Sequence, residues 1–270
     1  MMAAESPLPV SSSVPPEFPR EQLELFRDTL NLLNDAKIPY AVSGAFALQH
    51  HTGIWRNTKD LDLFMTCDDA TCALSHLRER DFECEILDPI WLAKAHRDNF
   101  FVDLITGMSN GALSVDRTWI ERAHPAIVLG VHTRVLGAEE LLASKLFVLA
   151  RERFDGADIA HILYATPARL EWQRIFTLVG DHRELLFAAL VLFHYIYPDS
   201  ATNIPSGVWN TLLENFVESL SQRGSQPKFR GTLLDEKMFA IDVKEWGLPN
   251  PVDGFRARKS SLIRDQNKAA

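Results

Sequence analysis

The segment Thr58-Lys59-Asp60-Leu61-Asp62-Leu63-Phe64 sets two carboxylates two residues apart between apolar neighbours. Successive side chains of a strand point to opposite faces, so Asp60 and Asp62 share one face while Leu61 and Leu63 point into a core. At a rise of ~3.3 Å per residue their Cα atoms stand about 7 Å apart, close enough for the carboxylates to converge on a hard cation. A third acid, Asp103, sits inside the apolar run Phe100-Phe101-Val102-Asp103-Leu104-Ile105. A carboxylate in such a setting is costly unless a partner or a metal satisfies it. If the two strands are neighbours, three acids meet, and without a cation they repel and raise one another's pKa. Magnesium takes carboxylate and substrate phosphate oxygens together. Two such ions about 3.5–4 Å apart can hold the attacking and the leaving oxygen of an in-line displacement. An isolated Asp-x-Asp is common on solvated strand edges. Here both flanks are apolar and a glycine turn lies upstream.

That turn is Val42-Ser43-Gly44-Ala45-Phe46-Ala47, read as strand, tight turn and helix start. Glycine permits close backbone approach. The first turn of a helix offers unpaired N–H groups and the positive end of a dipole, which suits an anion. Ser43 adds a hydroxyl. A strand–helix turn also needs a small residue for purely structural reasons. Arg56 and Lys59 lie between the turn and the aspartates. Arg56 is the better phosphate ligand of the two, because a guanidinium can take phosphate oxygens in bidentate fashion.

Taken together, Val42-Ser43-Gly44-Ala45 and Arg56-Asn57-Thr58-Lys59-Asp60-Leu61-Asp62-Leu63-Phe64 resemble the signature of the polymerase-beta-type nucleotidyltransferase superfamily. In that signature a strand–Gly–Ser turn precedes an Asp-x-Asp strand and a later single Asp. In this chain the hydroxyl precedes the glycine. A second stretch, Glu139-Glu140-Leu141-Leu142-Ala143-Ser144-Lys145 followed by Arg151 to His161, is similar to the helical segment of bacterial nucleotidyltransferases related to the abortive-infection toxin group. The resemblance covers about residues 38 to 162. It implies that Ser43 and Gly44 hold the β- and γ-phosphates of an NTP such as ATP. It implies that Asp60 and Asp62 bind two Mg²⁺ ions, with Mn²⁺ able to substitute. Asp103 would bind the catalytic ion and take the acceptor's proton. Lys145 would reach the triphosphate, and Asp158 would support the site or contact the acceptor.

Read without the resemblance, Lys145 is a lysine beside an apolar helical stripe, which ordinarily snorkels to solvent. Asp155-Gly156 is a turn signal with Asp155 as helix cap. Asp158 suits a helix's first turn in any case. His161 reads as a satisfied structural histidine. Trp172, Phe176, Phe187, Phe193, Tyr195 and Tyr197 are spaced as core positions. Cys67, Cys72 and His76 lack the close pair and the fourth ligand of a zinc site.

The elements that must position these groups follow from periodicity. Helices are expected over Glu21–Lys37, Ala45–His51 and Asp69–Arg80, and strands over 40–43, Leu61–Met65, Phe82–Leu87 and Phe100–Thr106. Ala126–Val131 and Thr133–Leu136 form further β-structure around a turn at Gly130. From Ala138 the pattern is helical: Glu139–Glu152, Ala157–Tyr164, Trp172–Leu178, Arg183–Tyr197 and Val208–Ser221. The fold class is α/β (α+β), a nucleotidyltransferase-type mixed sheet flanked by helices and followed by a helical half. The expected organisation is a flexible tail over 1–18, a catalytic domain over 19–136, a helical domain over 137–223, and an extension over 224–270. That extension holds a loop at Gly224–Arg230 and a basic tail from Phe255 with Arg256, Arg258, Lys259 and Arg264.

Composition sets outer limits. The chain is 46% hydrophobic and 24% charged, ordinary for a globular protein with a sizeable core. A net charge of −8 denies it the broad basic footprint of a tight nucleic-acid binder. Three cysteines do not make a disulfide framework. The N-terminus lacks the basic region and apolar run of a signal peptide. The most apolar stretch, Leu185–Tyr197, is too short for a bilayer and reads as a buried helix. A cytoplasmic protein with no membrane partner is expected. It would transfer a nucleoside monophosphate from an NTP to the hydroxyl of an acceptor, whether a small molecule, an RNA end or a protein, and release pyrophosphate. Two other classes stay open: a nucleotide-binding or regulatory module without turnover, and a toxin acting on tRNA with an antitoxin partner.

Overall fold

The structure, a computed structural model, describes residues 17–221 and 229–265. Its centre is a seven-stranded mixed sheet. The strands are β1 (Ala41–Val42), β2 (Asp60–Phe64), β3 (Glu83–Asp88), β4 (Leu92–Arg97), β5 (Phe100–Ile105), β6 (His124–Val128) and β7 (Val131–Val135), in the order β3-β4-β5-β2-β1-β7-β6. β2 runs parallel to β5 and β1 parallel to β7, while the other neighbours are antiparallel. Helices α1 (Arg20–Asp35) and α3 (Cys67–Arg78) pack against the sheet. α1 turns Leu25, Phe26, Leu30 and Leu33 inward, the one-sided stripe its spacing predicts. α3 starts where Thr66 accepts the Asp69 N–H at 3.2 Å and donates to its carboxylate at 2.6 Å. Between β6 and β7 the chain reverses through Leu129 and Gly130, both in the left-handed region as a two-residue hairpin of this hand requires.

α2 (Gly44–Thr52) leaves β1 directly, and α4 (Arg117–Glu121) precedes β6. The helical half holds α5 (Ala138–Leu146), α6 (Gly156–Ala165), α7 (Trp172–Val179), α8 (Arg183–Ile196) and α9 (Ser206–Ser221). α5 is its hub, packing on α6, α7 and α8 as well as α2. Glu140, fully buried on α5, accepts from Arg174 of α7 at 2.8 Å. Two short helices, α10 (Ala240–Lys244) and α11 (Pro251–Ala257), follow. No helix among the described residues is long and apolar enough to cross a membrane.

The expected elements require five corrections. Strand β4 was not expected, because Leu92-Ala-Lys-Ala-His-Arg carries no β-branched residue. The helix expected over Glu139–Glu152 ends at Leu146. A small hairpin follows, β8 (Leu149–Ala150) and β9 (Arg153–Phe154). The leucine spacing that ran on to Leu149 hid this break. α8 is not a buried helix, for it exposes every third to fourth residue, and Tyr195, assigned to the core, is 84% exposed. Phe18, placed in the tail, packs on Phe26, Phe46 and Trp55 at ring centroids 5.6, 6.0 and 5.8 Å away. The stretch after Phe255 does not hang free. Arg256 donates to Asp88 at 2.7 Å, Ile263 donates from its backbone to Pro89 at 2.8 Å, and Arg78 reaches Asp265 at 2.8 Å. The rest of the tail, most of 1–18 and most of the Gly224–Arg230 loop lie outside the described residues.

Candidate functional site

The parallel register of β2 and β5 sets Asp62 directly beside Asp103, and the period of two sets Asp60 on the same face. Asp60, Asp62 and Asp103 each offer a carboxylate oxygen within 4.8 Å of the others, the sole such group of His, Cys, Asp or Glu among the described residues. Burial pushes the Asp62 carboxyl up to about 7, and the charges of Asp60 and Asp103 add to it. Asp103 is also raised, again chiefly by burial. Three carboxylates this close, one of them raised by burial and by its neighbours' charge, fit a divalent cation, whose charge would offset both effects.

Asp103 has a partner the sequence reading missed. Lys94 on β4 lies opposite it in the antiparallel ladder and donates to Oδ1 at 2.6 Å. The same ammonium sits 3.6 Å from the centre of the Phe101 ring. Thr58 fixes the first acid, donating to Asp60 Oδ1 at 2.5 Å.

The strand–turn–helix unit closes on these acids from one side. Ser43 donates its backbone N–H to the Asp62 carbonyl at 2.8 Å and begins α2 without a side-chain cap. Gly44 adopts φ +57°, and a Cβ there would collide with Asp62 Oδ2. Glycine is thus required at this position both by conformation and by space. Ser43, Gly44 and Ala45, at the start of α2, line the cleft that holds the acids.

The same cleft is lined by a network of ion pairs that joins Arg56, Lys145 and Arg153 to Asp155 and Asp158. Lys145 does not snorkel to solvent, for every residue of α5 is buried. It donates to Asp155 at 2.8 Å and to Asp158 at 2.7 Å. Asp155 does not cap α6 with its side chain, because Lys145 and Arg153 claim the carboxylate. Burial alone would raise Asp155, but the Lys145 and Arg153 charges hold it below the usual carboxylate range. Arg56 forms an ion pair with Asp158 Oδ1 without hydrogen-bond geometry, and its other terminal nitrogen lies 3.3 Å from His161 Nδ1. Arg153, supplied by the β8–β9 hairpin, lies close enough to act on the charge of Asp62 and was not singled out from sequence. Lys59 is exposed, and its backbone carbonyl takes Gln22 of α1.

All eight residues singled out from sequence, Ser43, Gly44, Arg56, Asp60, Asp62, Asp103, Lys145 and Asp158, line one cleft of about 540 Å³. Trp91, Met108 and Phe147 give it an apolar side. Leu234, from the C-terminal segment, lines it too, and Asn110 pins that segment by donating to the Leu233 carbonyl at 2.8 Å. An acidic triad facing a glycine turn and a cationic wall can bind a polyphosphate together with its metal ions.

No curated protein matches the sequence. Several solved structures are similar in part. An antigenic nucleotidyltransferase-like protein from Paracoccidioides brasiliensis is 19% identical, with 71% of this chain and 98% of that one covered at a TM-score of 0.46. The antibiotic-resistance factor ANT(2'')-Ia is 16% identical over 66% of this chain and 98% of its own, at a TM-score of 0.44. A lincosamide antibiotic adenylyltransferase, LnuA, is 16% identical over 52% and 94%, at a TM-score of 0.38. Residues 22–174, which take in the whole seven-stranded sheet and run from α1 to the first turn of α7, match the family described as "Nucleotidyl transferase of unknown function (DUF2204)", and the chain belongs to that family.

Proposed function

We propose that this nucleotidyltransferase moves a nucleoside monophosphate from an NTP to an acceptor hydroxyl in a divalent-metal-dependent reaction and releases pyrophosphate. The observation that carries this reading is the convergence of Asp60, Asp62 and Asp103 within 4.8 Å, facing the Gly44 turn. Asp60 and Asp62 would hold two Mg²⁺ or Mn²⁺ ions and Asp103 one of them. When bound, such ions neutralise the triphosphate and the charge that develops on the attacking and leaving oxygens.

The chain's own groups supply the rest. The α2 N-terminus, Ser43 and Gly44 would receive the β- and γ-phosphates. Lys145, Arg56 and Arg153 would hold the same anion, exchanging part of their pairing with Asp155 and Asp158 for phosphate oxygens. Asp103 would take the proton of the acceptor hydroxyl as its oxygen bonds to the α-phosphorus. The bond from that phosphorus to the β-phosphate oxygen breaks, and pyrophosphate leaves. The apolar side formed by Trp91, Met108 and Phe147, and the net charge of −8, favour a small or locally held acceptor over a long nucleic acid. Residues 19–136 would form the catalytic domain and 137–223 a helical domain that contributes Lys145 and Asp158.

The Lys94–Asp103 ion pair favours a second reading, a module that binds nucleotide without turnover, because a carboxylate held by an ammonium is a poorer base. Incubation with α-labelled NTPs, Mg²⁺ and a broad panel of hydroxylated acceptors separates the two. Label transfer with matching pyrophosphate release, lost in Asp103→Asn, supports catalysis. Magnesium-dependent NTP binding with neither label transfer nor pyrophosphate from any acceptor supports the binding module.

A further inference from the structure

Away from the cleft, α8 and α9 pack as an antiparallel pair. Arg183 donates to Asn215 at 2.6 Å, Phe187 meets Phe216 with ring centroids 5.7 Å apart, and His194 meets Trp209 at 6.3 Å. Leu186, Leu190 and Phe193 of α8 and Val208 and Leu212 of α9 turn into the core. The turns that face away from it are not polar. Leu213, Phe216, Val217 and Leu220 follow the i, i+3, i+4, i+7 spacing of a packed helical stripe, yet they are 50, 37, 53 and 68% exposed. Val191 and Tyr195, four residues apart on α8, are 50 and 84% exposed. With the core below and the partner helix beside, the helical turn places both sets on the outer side of the pair, flanking the groove between the two helices.

We infer that this two-helix face is the interface of a symmetric homodimer, on which a second copy of the chain seats its own α8–α9 pair. A large apolar side chain bares on the order of 200 Å², so six of them at these exposures present about 700 Å². That exceeds the roughly 300–600 Å² of the largest apolar patch on a typical monomer. It approaches the ~800 Å² that each partner contributes to a standard stable interface. A two-fold axis sets this face against the same face of the second copy, so that every contact between the two is made twice. Two antiparallel helix pairs joined in this way form a four-helix layer, whose core positions are these 3-4-spaced residues.

Sedimentation velocity of the full chain, with Mg²⁺ present, from low to high micromolar concentration tests the inference. The dimer predicts a concentration-dependent shift from the 30.5 kDa chain to twice that mass, with slower amide exchange over 213–221 as concentration rises. Val217→Glu combined with Leu220→Glu is expected to weaken association at least tenfold while leaving Mg²⁺-dependent NTP binding unchanged. Tyr195→Lys, at a side chain too exposed to matter for folding, is expected to weaken it in the same sense. A wild-type chain that stays at 30.5 kDa throughout overturns the inference and leaves the face to a different partner. A dimer that neither variant weakens overturns it as well, because the contact then lies elsewhere.

Discussion

Lys94 and Asp103 face each other across the β4–β5 ladder, with Nζ 2.6 Å from Oδ1, so the acid paired with Asp62 in the β2–β5 register already carries a cation of the protein's own. A divalent ion arriving at the triad must share Asp103 with that ammonium. Lys94→Met removes the competitor and also the pairing. The metal-free variant is expected to lose about 2 kcal/mol of stability at neutral pH, the cost of leaving a part-buried carboxylate without its donor. Saturating Mg²⁺ is expected to restore more of the melting temperature in Lys94→Met than it adds to the wild type. Thermal melts with and without Mg²⁺ read both effects.

Asp62 ties stability to pH. Its carboxyl titrates near 7 in the metal-free fold, against an ordinary value of 3.8 in the unfolded chain. Between those two values the folded state holds a proton that the unfolded state has released. Stability is therefore highest below about pH 4 as far as this group is concerned, and it falls as pH rises towards 7, by up to a few kcal/mol. Above 7 the loss is complete. Mg²⁺ is expected to flatten this slope and to release a proton on binding at pH 6, measurable as a buffer-dependent heat.

Asp62→Asn separates stability from chemistry. Removing the charge relieves the repulsion with Asp60 and Asp103, so the metal-free variant is expected to melt higher than wild type at pH 8. Nucleotidyl transfer is expected to fall by about 10³-fold, in the range seen when a transition-state charge loses its stabilising partner. A variant both less stable and fully active would contradict the placement of this carboxylate.

Gly44→Ala places a methyl against Asp62 Oδ2 and asks alanine to hold φ +57°. The expected cost is about 2 kcal/mol or more in stability. NTP affinity is expected to drop by at least about tenfold, because the strand–helix turn proposed to receive the phosphates must shift away from the acids. Gly130→Ala, also at positive φ but in open space beside Arg27, is the control: strain without loss of NTP affinity.

What could be read in the sequence was what local periodicity encodes. Asp60 and Asp62 were visible because a period of two puts them on one face, and Asp103 because it interrupts an apolar run. The adjacency of Asp62 and Asp103 rests on a parallel register between strands 40 residues apart in sequence, which no local pattern states. Lys94 was invisible for the same reason, and its strand is built of alanine, leucine and polar residues that look like no strand. Arg153 and the true role of Asp155 depend on the β8–β9 hairpin, hidden under leucine spacing that mimics a longer helix. The C-terminal segment that walls the cleft through Leu234 has too little periodicity to be placed at all before Asn110 and Asp88 are seen to hold it.

A metal-dependent triphosphate site at Asp60, Asp62 and Asp103 would bind nucleotide only together with its cation. Isothermal titration of a non-hydrolysable ATP analogue into wild type and Asp62→Asn, each with and without Mg²⁺, tests it most directly. Binding to wild type is expected only when Mg²⁺ is present, with no measurable binding to Asp62→Asn under either condition. Equal binding by both proteins, or binding indifferent to Mg²⁺, would contradict it.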